Sequence, residues 1–414
     1  MQENSRYAVG IDIGTTMVRC VVAHLDSTSG APTVVGVGQA PTKGMRKGVV
    51  AHLEGPAAAM DEALGEAERM SGYQVDVATV SINGSHILST KADGMIAVGA
   101  LDHEVNRDDI HRLEEVATVG KVPANREILD VVPHSYTLDG QDGIKDPIGM
   151  TGTRLEINAN VVSALGPHLH NLQKSAELAK VDAHTITPAV LAAARAVLSE
   201  SQMENGVAVI DLGGSTTSVA VFEEGDLQHV GIIPLGAMNI TNDLAIGLKT
   251  DPEVAEKVKV AHAVAIPRQN TEGISVKDGG EVLSFTSRDI DEIVEARLEE
   301  IFDAVNKELK KAGKAGQLPS GVVLTGGGAQ LKHIVEYAKQ ALGVAARLGK
   351  ATGYGGVAED IDKPQFASVA GLMLIDSEGN ATVSKHGSGG SFNAKAGLKN
   401  AGGMVSRFLD RFKA

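Results

Sequence analysis

At 414 residues the chain has room for about two to four domains, and its 43% hydrophobic and 22% charged residues are those of an ordinary globular protein. With 3% aromatics and no Trp, its cores must be largely aliphatic. The net charge of -14 argues against nucleic acid as a partner, and no run approaches the roughly 20 apolar residues of a membrane-spanning helix.

Met1 to Tyr7 is polar, without a signal-peptide pattern, which predicts a cytosolic chain unless something else holds it at a membrane. Ala8, Val9 and Ile11 predict a strand, Asp12-Ile13-Gly14-Thr15-Thr16 a turn, and Val18 to Val22 a second strand. Such a hairpin exposes backbone N–H groups and hydroxyls at its tip, and glycine lets a phosphate approach the backbone closely. The single cysteine, Cys20, falls in that second strand and reads as a small buried hydrophobe of a reducing compartment. Gly36-Val37-Gly38 lacks the third glycine of a dinucleotide fingerprint and reads as strand and turn.

The same pattern returns at the middle of the chain. Val207 to Ile210 predicts a strand, Asp211-Leu212-Gly213-Gly214-Ser215-Thr216-Thr217 a turn, and Val219 to Phe222 another strand. Two copies, one per half, predict two lobes gripping one magnesium nucleotide. Gly14, Thr15, Thr16, Gly213, Gly214, Ser215 and Thr216 are the candidate phosphate contacts. Asp12 and Asp211 would repel a phosphate, so they are candidates to face Mg²⁺, directly or through water.

Ser287 to Asn306 predicts a helix whose Ile290, Ile293, Val294, Leu298 and Ile301 recur at helical spacing, as core residues do. Val322 to Ala329 reads as a buried strand entering a glycine turn, with a helix from Leu331 to Leu342. Gly326, Gly327 and Gly328 suit a ribose, an adenine or an α-phosphate, because bare backbone and a helix N-terminus can both approach such groups. No G-x-x-x-x-G-K-[ST] loop competes with this assignment.

After Asp376 the composition changes. Ser377 to Gly403 is rich in Gly, Ser, Ala, Asn and Lys, as flexible linkers are, with a coil span of about 30 Å. Over residues 404–414, Met404, Val405, Phe408, Leu409 and Phe412 share one helical face, opposite Ser406, Arg407, Asp410, Arg411 and Lys413. Eleven helical residues span about 17 Å, enough to lie in an anionic membrane interface but not to cross it. One such anchor is weak, so stable attachment calls for several copies linked by self-assembly.

The paired D-x-G hairpins and the Thr325-Gly-Gly-Gly turn are marks of the actin, heat-shock-chaperone and sugar-kinase superfamily. Within it the chain resembles the FtsA family of bacterial cell-division proteins over nearly its whole length. The resemblance rests also on Ser81-Ile82-Asn83-Gly84-Ser85-His86-Ile87-Leu88-Ser89 and on Asp139-Gly140-Gln141-Asp142-Gly143-Ile144-Lys145-Asp146-Pro147-Ile148-Gly149-Met150. Thr153-Arg154-Leu155-Glu156, Ile240 to Ala245, Ala255 to Lys259 and Glu295-Ala296-Arg297 match as well. By its residues alone, the stretch from Asp139 is only a polar, turn-rich hairpin.

The resemblance implies an α/β, two-lobed actin-like ATPase fold with an FtsA-type insert, binding ATP and Mg²⁺. Its domains would be 5–84 with 161–203 (subdomain 1A), 85–160 (1C), 204–242 with 317–376 (2A), 243–316 (2B), a linker over 377–403 and the helix 404–414. It adds Gly236, Glu256 and Lys257 to the nucleotide contacts, the last two at the ribose and adenine. Where relatives carry Tyr-Gly after the Glu-Lys helix, this chain has His262-Ala263. The expected output is a filament that tethers the tubulin-like FtsZ to the inner membrane face at the division site. FtsZ's tail would dock on 2B, with Arg288 as a contact. Hydrolysis is expected to be slow or undetectable. Asn158 and Asn160 are the candidates to orient an attacking water, and neither can act as a base.

Three alternatives have their own signatures. A soluble small-molecule kinase would have no use for the basic amphipathic tail. A scaffold resembling the pilus-assembly protein PilM would lack Phe408, Leu409 and Phe412. The rod-shape actin MreB lacks the insert.

Overall fold

A computed structural model describes residues 6–26, 31–99, 103–356 and 361–383. The hairpin of Arg6–Ile13 and Met17–Leu25 pairs antiparallel from Arg6↔Leu25 to Ile13↔Val18. Thr33–Pro41 extends it as a meander, while Val77–Ile82 and Asp182–Pro188 add parallel strands on the other side. Helix Glu54–Ser71 covers this sheet with its apolar stripe of Ala59, Met60, Ala63 and Ala67. Gly36 and Gly38 lie within a continuous strand, which corrects the strand-and-turn reading. A Cβ at Gly38 would sit 1.9 Å from the Ala63 carbonyl oxygen, so glycine there admits the helix backbone.

A second sheet repeats that order. Val207–Leu212, Thr217–Glu223 and Asp226–Ile233 form the meander, and Val322–Thr325 and Ala346–Leu348 the parallel extension. Every residue of Val207–Leu212 is buried, as expected for a strand covered on both faces. The two halves of the chain thus share one topology, and each hairpin turn ends its first strand at the same place.

Two further units decorate the lobes. Between Val77–Ile82 and Asp182–Pro188 stands an insert of strands Leu88–Ala97, Arg126–Leu138, Gln141–Ile144 and Arg154–Leu165. Helix Arg107–Thr118 packs on one face of that sheet around Leu113, Leu155 and Ile157. In the second lobe, helices Ala237–Gly247, Pro252–His262 and Ser287–Lys311 gather with the hairpin Gly273–Asp278/Glu281–Thr286. The long helix begins under a Thr286 side-chain cap and runs beyond Asn306, burying Ile290, Val294, Leu298 and Ile301.

Two boundaries move. Gly327–Gln330 forms a short 3₁₀ turn, and the helix expected from Leu331 begins at Ile334 because His333 takes φ 64°. The final helix, Ala367–Val383, continues past the boundary set at Asp376. Its polar residues are held by the body, which composition does not reveal: Asp376 accepts from Val9 N at 2.9 Å and Thr79 Oγ1 at 2.8 Å, and Glu378 pairs with Arg195. Residues 384–414, including the helix expected over 404–414, lie outside the described residues. No described helix is long and apolar enough to cross a membrane.

Candidate nucleotide site

The two hairpin turns close on their own backbones in the same way. Gly14 N donates to Met17 O at 3.0 Å, and Gly213 N to Thr216 O at 2.9 Å. They meet head to head across a cleft of about 1010 Å³, where the Thr15 and Ser215 hydroxyls lie 2.7 Å apart. Gly14, Thr15, Thr16, Gly213, Gly214 and Thr216 line that cleft. Ser215 is turned to Thr15 and is absent from the lining.

Asp12 and Asp211 stand at equivalent points two residues before Gly14 and Gly213, and both line the cleft floor. Burial raises the Asp12 carboxyl, partly offset by Ser81, which also accepts from Ile13 N at 2.8 Å, and by Arg19. Burial and then the Asp12 charge push Asp211 up to about 7. Arg19 lies opposite Asp12 in the hairpin register, with its guanidinium 5.2 Å from the Phe366 ring centroid, and burial lowers its own pKa.

The third glycine element crosses behind. Gly326 has φ 84°, and a Cβ there would lie 2.3 Å from Asp211 Oδ1. A Cβ on Gly327 would meet nothing within 4 Å, so its backbone borders open cleft. Gly236 does not line the cleft, which corrects its assignment as a contact. It is tucked behind the second turn, where its Cβ would come 2.7 Å from both Gly213 O and Gly214 O. The helix it starts spends its first N–H groups on those carbonyls: Ala237 N to Gly213 O at 2.9 Å and Met238 N to Gly214 O at 2.7 Å.

On the far wall Glu256 accepts from Thr241 Oγ1 and, at 2.7 Å, from Lys259 Nζ. Lys257 reaches the rim, where Asp278 holds it at 2.7 Å. Ile240, Leu331 and Ile334 supply apolar surface between them. Asn158 and Asn160 are not brought here. Asn158 lies on the exposed face of the insert beside Lys91 and Asp93, and Asn160 is buried against Leu227 O and 2.8 Å from His134 Nε2. Their strand returns to the first lobe only after passing them, so alanine at Asn158 will leave nucleotide affinity unchanged in isothermal titration. A several-fold weakening would restore it to the site.

Among the cleft residues that sequence reading missed are Arg19, Asn83, Lys259 and Gln365. Arg19 was accessible from the hairpin register, and Lys259 from its i+3 spacing to Glu256. Asn83 and Gln365 come from loops that only the fold brings in.

The residues present fit a magnesium nucleotide. The Nε of Arg19 is buried with no hydrogen-bond partner among the described residues, as suits a cation kept for an anion. Two buried carboxylates, one of which raises the pKa of the other, suit a divalent cation, and two is a usual protein share of a magnesium–phosphate shell.

Comparison with known proteins agrees with this geometry. Residues 208–371 match the family model for cell division protein FtsA, and residues 84–163 match the SHS2 domain inserted in FtsA. The chain is 33% identical over 376 residues to the cell division protein FtsA of Pseudomonas aeruginosa, covering 90% of this chain and 89% of that one. For the Neisseria meningitidis protein of the same name the figures are 34% over 406 residues, with 94% and 97% covered. The Bacillus subtilis protein is 35% identical over 377 residues, with 90% and 84% covered. Among solved structures, a chain of the PilM–PilN type IV pilus biogenesis complex superposes with a TM-score of 0.65 at 16% identity, covering 89% of this chain and 98% of that one. Spiroplasma citri MreB5 bound to ADP superposes with a TM-score of 0.52 at 14% identity, covering 92% and 99%. The MamK double helical filament gives 0.52 at 11% identity, covering 89% and 98%. The two-lobed, actin-like α/β fold with an inserted SHS2 unit is therefore the fold of this chain.

Proposed function

Because the chain belongs to the FtsA family of cell-division proteins, we propose that it is an ATP-binding, self-assembling tether that holds FtsZ to the cytoplasmic face of the membrane at the division site. The observation that carries the nucleotide part is the duplicated hairpin facing itself across the cleft. Supporting it, the MreB5 neighbour was solved with ADP.

In this reading the turn N–H groups and the hydroxyls of Thr15, Thr16 and Thr216 hold phosphate oxygens, and Arg19 supplies positive charge beneath them. Asp12 and Asp211 face the magnesium ion, which when bound neutralises phosphate charge. Glu256, oriented by Thr241 and Lys259, accepts from a ribose hydroxyl. Gly326 to Gly328 leave room for the rest of the nucleoside.

Subdomains 1A, 1C, 2A and 2B are assigned as the sequence boundaries imply. Arg288, exposed at the start of helix Ser287–Lys311 and paired with Glu292 at 2.8 Å, is the proposed contact for FtsZ's tail. The MamK filament supports self-assembly through a related fold. The basic, amphipathic residues 404–414, with Met404, Val405, Phe408, Leu409 and Phe412 on one face, support the membrane part. A pilus scaffold is disfavoured, since that likeness stands at 16% identity while the FtsA relatives stand at 33–35%.

Co-sedimentation with anionic liposomes and ATP tests the tether. The full chain will pellet and carry FtsZ down, whereas a chain ending at Val383 will leave both in solution. If both chains stay in solution, the tail is no anchor. If the full chain pellets alone, FtsZ is not its cargo.

A further inference from the structure

The insert belongs in sequence to the first lobe, yet the insert and the crossing that leads into it hold the two ends of one strand of the second. That strand, Thr217–Glu223, carries the phosphate turn at its start and the Glu224-Gly225 turn at its end. At the phosphate end, Asn83 reaches across the cleft. Its Nδ2 donates to Thr216 Oγ1 at 3.3 Å, and its Oδ1 accepts from Ser218 Oγ at 3.3 Å. At the other end Lys145 of the insert donates to Glu224 O at 3.1 Å and to the carboxylate of Asp226. Asn160 adds a bond to Leu227 O.

This second contact is a built clasp. Glu224 and Gly225 both take positive φ (53° and 77°), the tight hairpin turn that presents the Glu224 carbonyl outward. The Asp226 side chain is only 3% exposed, so removing Lys145 would cost a buried carboxylate its cationic partner from the insert. Lys145 is also fixed from its own side by His134 O at 3.1 Å.

The chain crosses between the first lobe and the insert twice, and the two units also share an apolar cluster that includes Leu129, Val132, Val162 and Ala164. Chain enters the insert through Asn83 to Leu88 and returns through Ser163 to Gly166. His86 bridges the two crossings: its Nε2 donates to Asn83 O at 3.1 Å and its Nδ1 accepts from Leu165 N at 3.4 Å. Arg126 ties the same pair, donating to His86 O and, at 2.8 Å, to Ser163 O. These bonds tie the two crossings to each other.

Resting on the ATP-binding reading above, we propose that the Lys145–Asp226 clasp couples the pose of the insert to the second phosphate turn, so that the insert reads the nucleotide state of the cleft. A strand of seven residues is a stiff rod of about 23 Å. A shift of the phosphate turn moves the far turn with it, and the clasp passes that movement to the insert. Coupling of this kind is reciprocal: a second protein molecule that reorients the insert changes nucleotide affinity by the same factor. The clasp also gives the motif Asp139 to Met150 a task, since that hairpin delivers Lys145 to the second lobe.

The test is a mutant cycle on the full chain, read by the dissociation rate of a fluorescent ATP analogue. Lys145→Met and Asp226→Asn will each speed dissociation by about five- to tenfold, within the usual range of allosteric coupling. The double variant will be no faster than either single. Lys121→Met, which breaks an ion pair on the insert away from the clasp, will leave the rate unchanged. Circular dichroism checks folding, and Lys145→Arg, which keeps the charge, will retain most of the parent behaviour. Spin labels at Ile148→Cys and Ile246→Cys, both exposed, give a second readout. Their distance distribution will broaden in Lys145→Met without any nucleotide. Folded clasp variants with the parent's rate overturn the proposal, as does an unchanged distance distribution. If the unmodified chain fails to bind the analogue, the ATP reading falls instead, and the label distances alone decide whether the clasp holds the insert.

Discussion

With Asp211 replaced by asparagine, the nucleotide-free chain will become more stable than its parent above pH 7, and it will lose magnesium-dependent ATP binding. Both effects come from one buried charge. Burial, then the neighbouring Asp12, push Asp211 up to about 7 from 3.8, against partial relief from Arg19. An acid whose pKa is raised by folding favours the fold while it is protonated. Its contribution is complete below pH 3.8 and is lost as pH rises through about 7. A shift of that size corresponds to on the order of 4 kcal/mol. Asp12, raised in the same direction, adds to the slope. Asparagine keeps the shape and removes the titration, so the variant's stability will be flatter across this range. Calorimetry in chelator from about pH 5 to 9, followed by titration with MgATP, reads both effects. An unchanged pH slope would mean that Asp211 is not the titrating group. Undiminished MgATP affinity would remove it from the metal side of the site.

The cost of burying a carboxylate at this position explains what the sequence could reveal. Asp211 stands in a buried strand where an apolar residue would fold better, and that conflict with its surroundings made the hairpin visible. The duplication did the rest, since Asp12 and Asp211 each precede a glycine turn with the same backbone closure. Periodicity was enough for the helix from Ser287, because Ile290, Val294, Leu298 and Ile301 repeat on one face. Reading failed where the deciding partner is far away in the chain. Asn160 is a polar residue in an apolar strand, as Asp211 is, but its partners are His134 and Leu227 O rather than a ligand. Gly236 supports a turn more than twenty positions upstream of it in sequence, and only the Cβ clash with Gly213 and Gly214 shows why glycine is needed. Residues 377–383 have a linker's composition, yet Arg195 draws Glu378 into a helix. Local pattern reports what a segment prefers, and these three sites are governed by what touches them.

The same distinction separates two glycines that composition treats alike, and it yields the largest expected loss of stability. Gly65 and Gly371 both sit inside α-helices, where alanine is intrinsically better by about 1 kcal/mol. At Gly65 a Cβ would meet only the end of the Arg69 side chain at 3.4 Å, so Gly65→Ala will stabilise the chain by about that amount. At Gly371 a Cβ would lie 1.7 Å from the Ala192 carbonyl oxygen, in the crossing with helix Ala189–Val197. Backbone cannot rotate away as a side chain can, so the helices must separate. Gly10 closes the other side of the same helix, where a Cβ would come 2.5 Å from Met373 N, and it blocks a shift toward the sheet. Overpacking of this kind costs about 3 kcal/mol or more, which outweighs the gain in helix propensity. Gly371→Ala will therefore unfold at markedly lower urea than the parent, and Gly65→Ala at slightly higher urea, both followed by far-ultraviolet circular dichroism. A Gly371→Ala chain as resistant as its parent would mean that this crossing is looser than the fold requires. The close seat of the terminal helix matters because the helix carries the chain from the nucleotide lobes toward the tail, and a loosened crossing would weaken that connection.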